Sequence, residues 1–164
     1  MRKTLFLIRH AKSSWDDPSL NDFDRPLNER GKKDAPAMAK KLKDQKIKLD
    51  AFVSSPAKRA RQTCSRFIKE FDFKKKKIIV DEKLYEATEE NFYDVVENLK
   101  NKWDTVAIFS HNPGITSFAN SLTEIRIDDM PTCSIFALKI DADKWKNFKT
   151  AKKKFWFFDY PKIE

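Results

Sequence analysis

The chain has 164 residues, of which 40% are hydrophobic, so it is long and apolar enough for one domain with a buried core, spanning residues 1–164. Its net charge of +9 indicates either a well-solvated surface or an anionic partner. The two cysteines, Cys64 and Cys133, have neither metal-ligand nor disulfide spacing, which favours a reducing compartment. No apolar run is long enough for a signal peptide or a membrane span, so we expect a cytosolic protein without membrane contact.

Apolar runs and segments of helical periodicity alternate along the chain. Strands are predicted at residues 4–8, 50–55, 77–81, 105–110, 133–140 and 154–160. Helices are predicted near residues 29–45, 60–71, 88–99 and 115–122, with Thr88 as a cap and with Pro36 acceptable only near a helix start. The repeated order of strand then helix predicts an α/β fold, a three-layer α/β/α sandwich with a mostly parallel central sheet. The last two strands lack an intervening helix and are expected to form an antiparallel edge.

The first and fourth predicted strands each run directly into a histidine. Arg9 and His10 follow the first strand, His111 follows the fourth, and the chain has no other histidine. A single histidine after a strand is commonly just a polar residue at the end of an element. Two of them at the carboxyl ends of parallel strands, where ligands of such sheets bind, favour a functional site.

Two predicted helix starts lie at the same edge of the sheet. Ser55 is expected to cap one helix and Asn112 another, each with a proline at the first helical position. These residues can be explained by helix initiation alone, but a helix N-terminus also offers free backbone N–H groups to an anion. Arg59 lies about one turn into the first of these helices. Together with Arg9 it supplies two forked guanidinium groups suited to one phosphate.

These residue types together predict phosphoryl transfer. Guanidinium groups neutralise a phosphoryl group and stabilise the charge on its equatorial oxygens, so a neutral imidazole can attack phosphorus. One histidine would form the covalent bond while the other donates hydrogen bonds to the oxygens. Other chemistries lack their motifs: neither cysteine has an arginine six positions later, no metal-ligand cluster is evident, and no glycine-rich phosphate loop is present. No cofactor and no metal are expected.

Five segments occur in an order that is similar to one protein family. They are RH at 9–10, PLNERG at 26–31, SSPAKRARQT at 54–63, LYEA at 84–87 and SHNPG at 110–114. Across residues 4–140 the chain resembles the histidine phosphatase superfamily, which implies the phosphoglycerate-mutase-like fold. The short length and the segments RHAKSSW and MPTCSI resemble in particular the small bacterial phosphohistidine phosphatases of the SixA type.

The resemblance implies roles for individual residues. It implies that His10 is the nucleophile and forms a phosphohistidine intermediate. It also implies that Arg9 and Arg59 clamp the phosphate and that His111 is a second histidine in contact with it. Glu86 falls where many members of the family place their general acid.

Ser13 and Asn112 are further candidates for substrate binding. The chain departs from the family pattern at Ala11, Lys12 and Asp16, where members often carry Gly, then Glu or Gln, and an Asn that contacts phosphate. An ionised Asp16 would repel a phosphoryl group, so we do not expect it to be a direct ligand.

The identity of the substrate stays open at the level of sequence. A phosphohistidine on a protein expels an imidazole, which leaves easily, whereas a phosphate ester expels an alkoxide that needs an acid such as Glu86. The lack of long insertions predicts an open pocket and favours a phosphorylated protein as substrate. A small phosphorylated metabolite is the alternative, and inorganic phosphate is the product in both cases.

Two segments rich in lysine and aromatic residues suggest a different class of function, a nucleic-acid-binding module without catalysis. Residues 71–77 and 144–162 have the composition of single-stranded nucleic-acid binders. A solvated turn explains the first segment, and an edge strand guarded by lysines explains the second. A nucleic-acid partner is therefore not expected.

Overall fold

A six-stranded sheet forms the centre of the structure, a computed structural model that describes residues 2–71 and 78–162. The strands are β1 (Lys3–Arg9), β2 (Ala51–Ser54), β3 (Ile79–Val80), β4 (Thr105–Ser110), β5 (Ile135–Asp141) and β6 (Lys152–Asp159). Their order across the sheet is β3-β2-β4-β1-β5-β6. Strands β1 to β4 run parallel, β5 lies antiparallel to β1, and β6 lies antiparallel to β5. The predicted sheet and its antiparallel edge are confirmed.

Helices cover both faces of this sheet. They are α1 (Glu29–Asp44), α2 (Lys58–Glu70), α3 (Glu89–Glu97) and α4 (Gly114–Leu122). Successive residues of β1 point to opposite faces: Phe6 packs with the buried residues of α1 and α2, and Leu7 with those of α3 and α4. Thr88 caps α3 as predicted, within a capping box completed by Asn91. The three-layer α/β/α prediction is therefore confirmed.

Three details differ from the sequence-based expectation. Pro36 lies inside α1 and not near its start; burial of the flanking Ala35, Met38 and Ala39 offsets the lost helical hydrogen bond. The third strand is only two residues long, and residue 77 of the prediction lies outside the described residues. A short 3-10 helix, Trp145–Asn147, interrupts the connection between β5 and β6.

The register of β1 and β4 brings the two histidines together. Arg9 pairs with Ser110 across the parallel ladder. The next residues, His10 and His111, therefore leave the carboxyl edge of the sheet side by side, with ring centroids 5.1 Å apart. Within the described ranges, no helix is long and apolar enough to cross a bilayer.

Candidate active site

His10 is held in one tautomer by the chain that follows it. Its Nδ1 lies 2.7 Å from the carbonyl oxygen of Ala11, which can only accept, so Nδ1 carries the proton and Nε2 carries the lone pair. The Ala11 N–H in turn donates to Thr63 Oγ1 at 2.9 Å, and Thr63 donates to the carbonyl of Arg59 at 2.8 Å. The buried Thr63 hydroxyl thus ties the loop after β1 to helix α2.

The surroundings of His10 keep its ring neutral. Burial, the neighbouring His111 and the charges of Arg59 and Arg9 together lower the pKa of His10 well below its usual value. A neutral ring with the lone pair on Nε2 is the nucleophilic form of histidine.

Gly31 allows helix α1 to approach this loop closely. A Cβ at Gly31 would overlap the carbonyl oxygen of Lys12, which also accepts the Asn28 N–H at 3.0 Å. The segment PLNERG therefore packs its helix start directly against the residues after His10.

Arg59 is the guanidinium that contacts His10. Its Nε lies 3.4 Å from His10 Nε2. Its other two nitrogens donate to Asp22: NH1 to the carbonyl oxygen at 2.6 Å and NH2 to Oδ2 at 3.0 Å. These three contacts fix the guanidinium beside the imidazole, and Arg59 is only 5% exposed.

Arg9 and His111 are further neighbours of His10. Arg9 NH1 donates to the carbonyl of Met130 at 2.7 Å, and His111 Nε2 shares a hydrogen bond of 2.7 Å with Ser55 Oγ. Burial, followed by the charge of Arg59, lowers the pKa of His111 to about 3. His111 is therefore also neutral at physiological pH.

Two adjoining cavities open beside these residues. The inner cavity, about 380 Å³, is lined by Arg9, His10, Lys12, Ser13, Trp15, Asp22, Arg25, Arg59, His111, Asn112 and Thr132. The outer cavity, about 350 Å³, is lined by Asp22, Arg59, Tyr85, Glu86, Ala87, His111, Asn112, Pro113 and Gly114. Four residues line both cavities, so the two form one continuous groove from His10 to Glu86.

Glu86 shares a cavity with only some of the other predicted site residues. It is exposed and lines the outer cavity together with Arg59, His111 and Asn112, whereas Arg9, His10 and Ser13 line only the inner one. Its backbone has a φ of 53°, a left-handed conformation that is costly for a residue with a Cβ. Asp16 is exposed and belongs to neither lining.

Both predicted helix caps are wrong in position. Helix α2 begins at Lys58 with Ala57 at the cap, because the Ser55 hydroxyl is instead bonded to His111 and to the Ala57 N–H. Helix α4 begins at Gly114 with Pro113 at the cap.

The Asn112 side chain cross-links loops instead of capping a helix. It donates to Asp129 Oδ1 at 2.6 Å and to the Met130 carbonyl at 3.0 Å, and it accepts from Thr116 at 2.6 Å. With its amide groups engaged in this way, Asn112 ties the start of helix α4 to the loop before β5.

Sequence reasoning missed three residues of the groove. Asp22 and Arg25 lie in the loop after β1, and Tyr85 precedes Glu86. Arg25 donates to Ser13 Oγ at 2.6 Å, and its guanidinium stacks 3.6 Å from the ring centre of Trp15. A loop has no periodicity that would place such residues, although the combination of Asp and Arg before PLNERG was visible in the sequence.

The fold and this groove bring two neutral histidines and the guanidinium groups of Arg9, Arg25 and Arg59 together at the carboxyl edge of an α/β sheet, the arrangement expected of a histidine phosphatase. The sequence model of the histidine phosphatase superfamily (branch 1) matches residues 5–95, more than half of the chain. The chain belongs to this superfamily.

Individual relatives agree with that assignment. An uncharacterized chloroplastic protein of Arabidopsis thaliana is 30% identical over 152 residues, covering 88% of this chain and 69% of the relative. The structure of SixA from Agrobacterium tumefaciens superposes with a TM-score of 0.80 at 25% identity, covering 99% of this chain and 100% of that one. The protein histidine phosphatase SixA complexed with tungstate shares the fold, with a TM-score of 0.81, 21% identity and 96% coverage of each chain. The chain spans about a third of the phosphoglycerate mutases that it also matches.

Proposed function

We propose that this protein is a phosphatase that forms a phosphohistidine intermediate on His10, and that its substrate is a phosphohistidine carried by another protein. The observation that carries this proposal is the state of His10. Its ring is neutral, its Nδ1–H is fixed on Ala11, and its Nε2 lone pair lies beside Arg59 in an open groove.

The first step transfers the phosphoryl group to the protein. Arg9 and Arg59 neutralise the incoming phosphate and stabilise the charge that spreads over its equatorial oxygens. The lone pair of His10 Nε2 forms a bond to phosphorus. The bond from phosphorus to the leaving group breaks, and its electron pair goes to the leaving atom. The Nδ1–H bond to Ala11 stabilises the positive charge that develops on the ring.

The second step releases inorganic phosphate. A water molecule attacks phosphorus, the N–P bond breaks, and its electron pair returns to His10 Nε2. The guanidinium groups serve this step in the same way, because the charge again spreads over the three equatorial oxygens. Since these arginines supply the neutralising charge, we propose that the reaction needs no metal ion.

The leaving group and the shape of the groove support a protein substrate. Imidazole leaves without a strong acid, and Glu86, the candidate acid, is exposed and lines the outer cavity, whose lining does not include His10. The groove is open to solvent, and Trp15 at its rim is 76% exposed. A side chain presented by another protein can reach such a site, and exposed aromatic residues are frequent at protein interfaces.

A second candidate function is a phosphomonoesterase for a small phosphorylated metabolite. The observation that favours it is the presence of Glu86 in the cavity that continues from the phosphate-binding groove. There a carboxylic acid can protonate a departing alkoxide.

Release of phosphate from three substrates separates these functions. We would compare a phosphohistidine-bearing protein, a phosphoserine peptide and an aryl phosphate, in the presence of EDTA and with His10→Ala as control. Hydrolysis of phosphohistidine with little hydrolysis of the phosphoserine peptide and the aryl phosphate supports the proposed function. Comparable hydrolysis of all three, lost in Glu86→Gln for the serine ester, supports the metabolite phosphatase. Undiminished release by His10→Ala contradicts both.

A further inference from the structure

A single carboxylate stands at the boundary of the two cavities. Asp22 lies in a short 3-10 helix, Asp22–Asp24, in the long loop after β1. It lines both the inner cavity, which contains His10, and the outer cavity, which contains Glu86. A phosphoryl group bound beside His10 therefore has Asp22 next to it, on the way to the outer cavity where its leaving group would lie.

Three donors fix the carboxylate of Asp22 in place. Oδ1 accepts from Arg25 NH2 at 3.0 Å, and Oδ2 accepts from Arg59 NH2 at 3.0 Å and from the Tyr85 hydroxyl at 2.7 Å. The Tyr85 hydroxyl stays protonated as a donor, because burial and the bond to Asp22 raise the pKa of Tyr85 to about 12. Side chains from three separate segments therefore hold this carboxylate.

Asp22 is ionised, and among residues 2–71 and 78–162 no donor occupies the last acceptor position of its carboxylate. Partial burial alone would raise its pKa, but the hydrogen bonds from Tyr85, Arg25 and Arg59 outweigh this effect and hold the pKa well below the usual range. A carboxylate has about four lone-pair positions, and three of these are occupied by the donors above. The side chain is 50% exposed, so the remaining position is open to a molecule in the groove.

We propose that Asp22 is a specificity-determining residue that selects leaving groups bearing an N–H, by accepting a hydrogen bond from that N–H while the bond to phosphorus breaks. The inference rests on the proposed function, because it concerns the leaving group of the same reaction. It divides substrates into two classes: a nitrogen leaving group with a proton to donate is favoured, and an oxygen leaving group that departs as an anion is repelled.

The proposed contact favours the protonated form of phosphohistidine, which is the form that loses a neutral imidazole. In a protonated phosphohistidine, one ring nitrogen is bonded to phosphorus and the other carries a proton. An adjacent carboxylate stabilises this protonated ring. When His10 Nε2 attacks, the substrate N–P bond breaks and its electron pair goes to that ring nitrogen. The product is a neutral imidazole, and no proton has to be supplied. Asp22 remains ionised throughout.

A purely structural role for Asp22 makes a different prediction. Since Asp22 also binds two nitrogens of Arg59, its loss would weaken the phosphate clamp. That effect would lower the rate for every phosphorylated substrate by the same factor. The ratio of rates between a nitrogen and an oxygen leaving group therefore distinguishes selection by Asp22 from positioning of Arg59.

The experiment measures kcat/KM of the full chain for a phosphohistidine peptide and for an aryl phosphate, in wild type, Asp22→Asn and Tyr85→Phe. Asp22→Asn removes the negative charge but keeps an oxygen acceptor for Arg59. We expect it to lower the ratio of phosphohistidine to aryl phosphate by about tenfold, the value of a charged hydrogen bond. Tyr85→Phe removes one donor to Asp22 but keeps the charge, and we expect it to preserve the ratio.

The outcomes separate this inference from the function on which it rests. An unchanged ratio in Asp22→Asn, with both substrates losing rate equally, overturns the role of Asp22 in selection and leaves the phosphatase intact. A wild type that hydrolyses neither substrate overturns the proposed function and the inference with it. Circular dichroism of the variants checks that the fold is retained.

Discussion

Two regions of this molecule concentrate positive charge, and they differ in how the charge is held. At the carboxyl edge of the sheet, Arg9 and Arg59 are fixed by hydrogen bonds to a carbonyl group and to Asp22, around a neutral histidine. Strand β6, at the opposite side of the sheet from β3, carries Lys152, Lys153 and Lys154 in succession.

The lysines around β6 cover aromatic rings. Lys139 Nζ lies 3.9 Å from the ring centre of Trp156, and Lys153 Nζ lies 4.6 Å from that of Phe148. Within the part of the chain that the structure describes, strand β6 pairs only with β5 and is an edge strand, and lysine is common on such edges.

Three aromatic residues of β6 pack against other rings, although Trp156 is still 37% exposed. Phe155 contacts Phe136, and Trp156 and Phe157 contact Phe6, with ring centroids between 5.4 and 6.2 Å apart. Stacking of nucleic-acid bases needs exposed ring faces. Composition alone is therefore weaker evidence for a binding site than charge that is buried and fixed beside a cavity. Lysines 74–77 of the other basic segment lie outside the described residues.

The largest expected effect comes from the proposed nucleophile, His10. His10→Ala should lower turnover by at least about a thousandfold, because the substitution removes the lone pair that we propose attacks phosphorus. The melting temperature should change by only a few degrees, since the ring is at the edge of the sheet. Phosphate release and a thermal melt of the same preparation measure both quantities. Retention of turnover in a folded variant would remove His10 from the mechanism.

The fixed guanidinium of Arg59 should be the next most sensitive feature. Arg59→Lys keeps the charge but loses the fork that contacts His10 and Asp22 together, and we expect kcat/KM to fall about a hundredfold. Lys154→Ala, which removes a charge from β6, is the matched control and should keep the wild-type value. Equal effects of the two substitutions would mean that net charge and not geometry determines the rate.

The free energy of unfolding should decrease at acidic pH, because two buried histidines are neutral in the folded protein. In the unfolded chain each histidine binds a proton below about pH 6.5, whereas in the folded protein burial lowers the pKa of His10 and brings that of His111 to about 3. The unfolded state then binds more protons, so the free energy of unfolding falls between pH 7 and pH 5, by about 2 kcal/mol for His111 and by a further contribution from His10.

Urea unfolding at the two pH values measures this loss. The His111→Gln variant titrates one histidine fewer and should show about half the pH dependence. A free energy of unfolding that does not change between pH 7 and pH 5 would show that the histidines are protonated in the folded protein.

The smallest expected effect concerns β6. Replacing Lys152 and Lys154 together by Ala should leave phosphate release unchanged and change stability by less than about 0.5 kcal/mol. Binding of a single-stranded oligonucleotide to the wild type at low salt tests the other interpretation, in which β6 binds nucleic acid. Tight, salt-dependent binding that the double substitution abolishes would restore β6 as a nucleic-acid surface.

The parts of the molecule that could be predicted from sequence are those with regular patterns. The central residues of β1 and β4, 5–8 and 106–109, are all apolar because helices cover both faces of the sheet, and Arg9, His10 and His111 stand out where these runs end. Helix α2 was found by its buried face, and Arg59 with it. The roles of these residues in catalysis stay predictions.

The parts that could not be predicted depend on contacts between distant segments. Ser55 fits a helix cap locally, but its hydroxyl is engaged by His111, which lies 56 positions further along the chain. Asp22 meets Tyr85 across 63 positions, through a loop without any periodicity. Such pairs exist only once the sheet has brought the carboxyl ends of its strands together, so no local pattern reveals them.

The most direct test of the central claim is to trap the intermediate. Wild-type protein would be mixed with a phosphohistidine-bearing substrate, quenched in alkali within milliseconds, digested and analysed by mass spectrometry. The account predicts a phosphoryl group on His10 that is stable in alkali, is lost in acid and disappears as phosphate is released. A phosphoryl group on another residue, or phosphate release with no phosphorylated protein at any time, would contradict it.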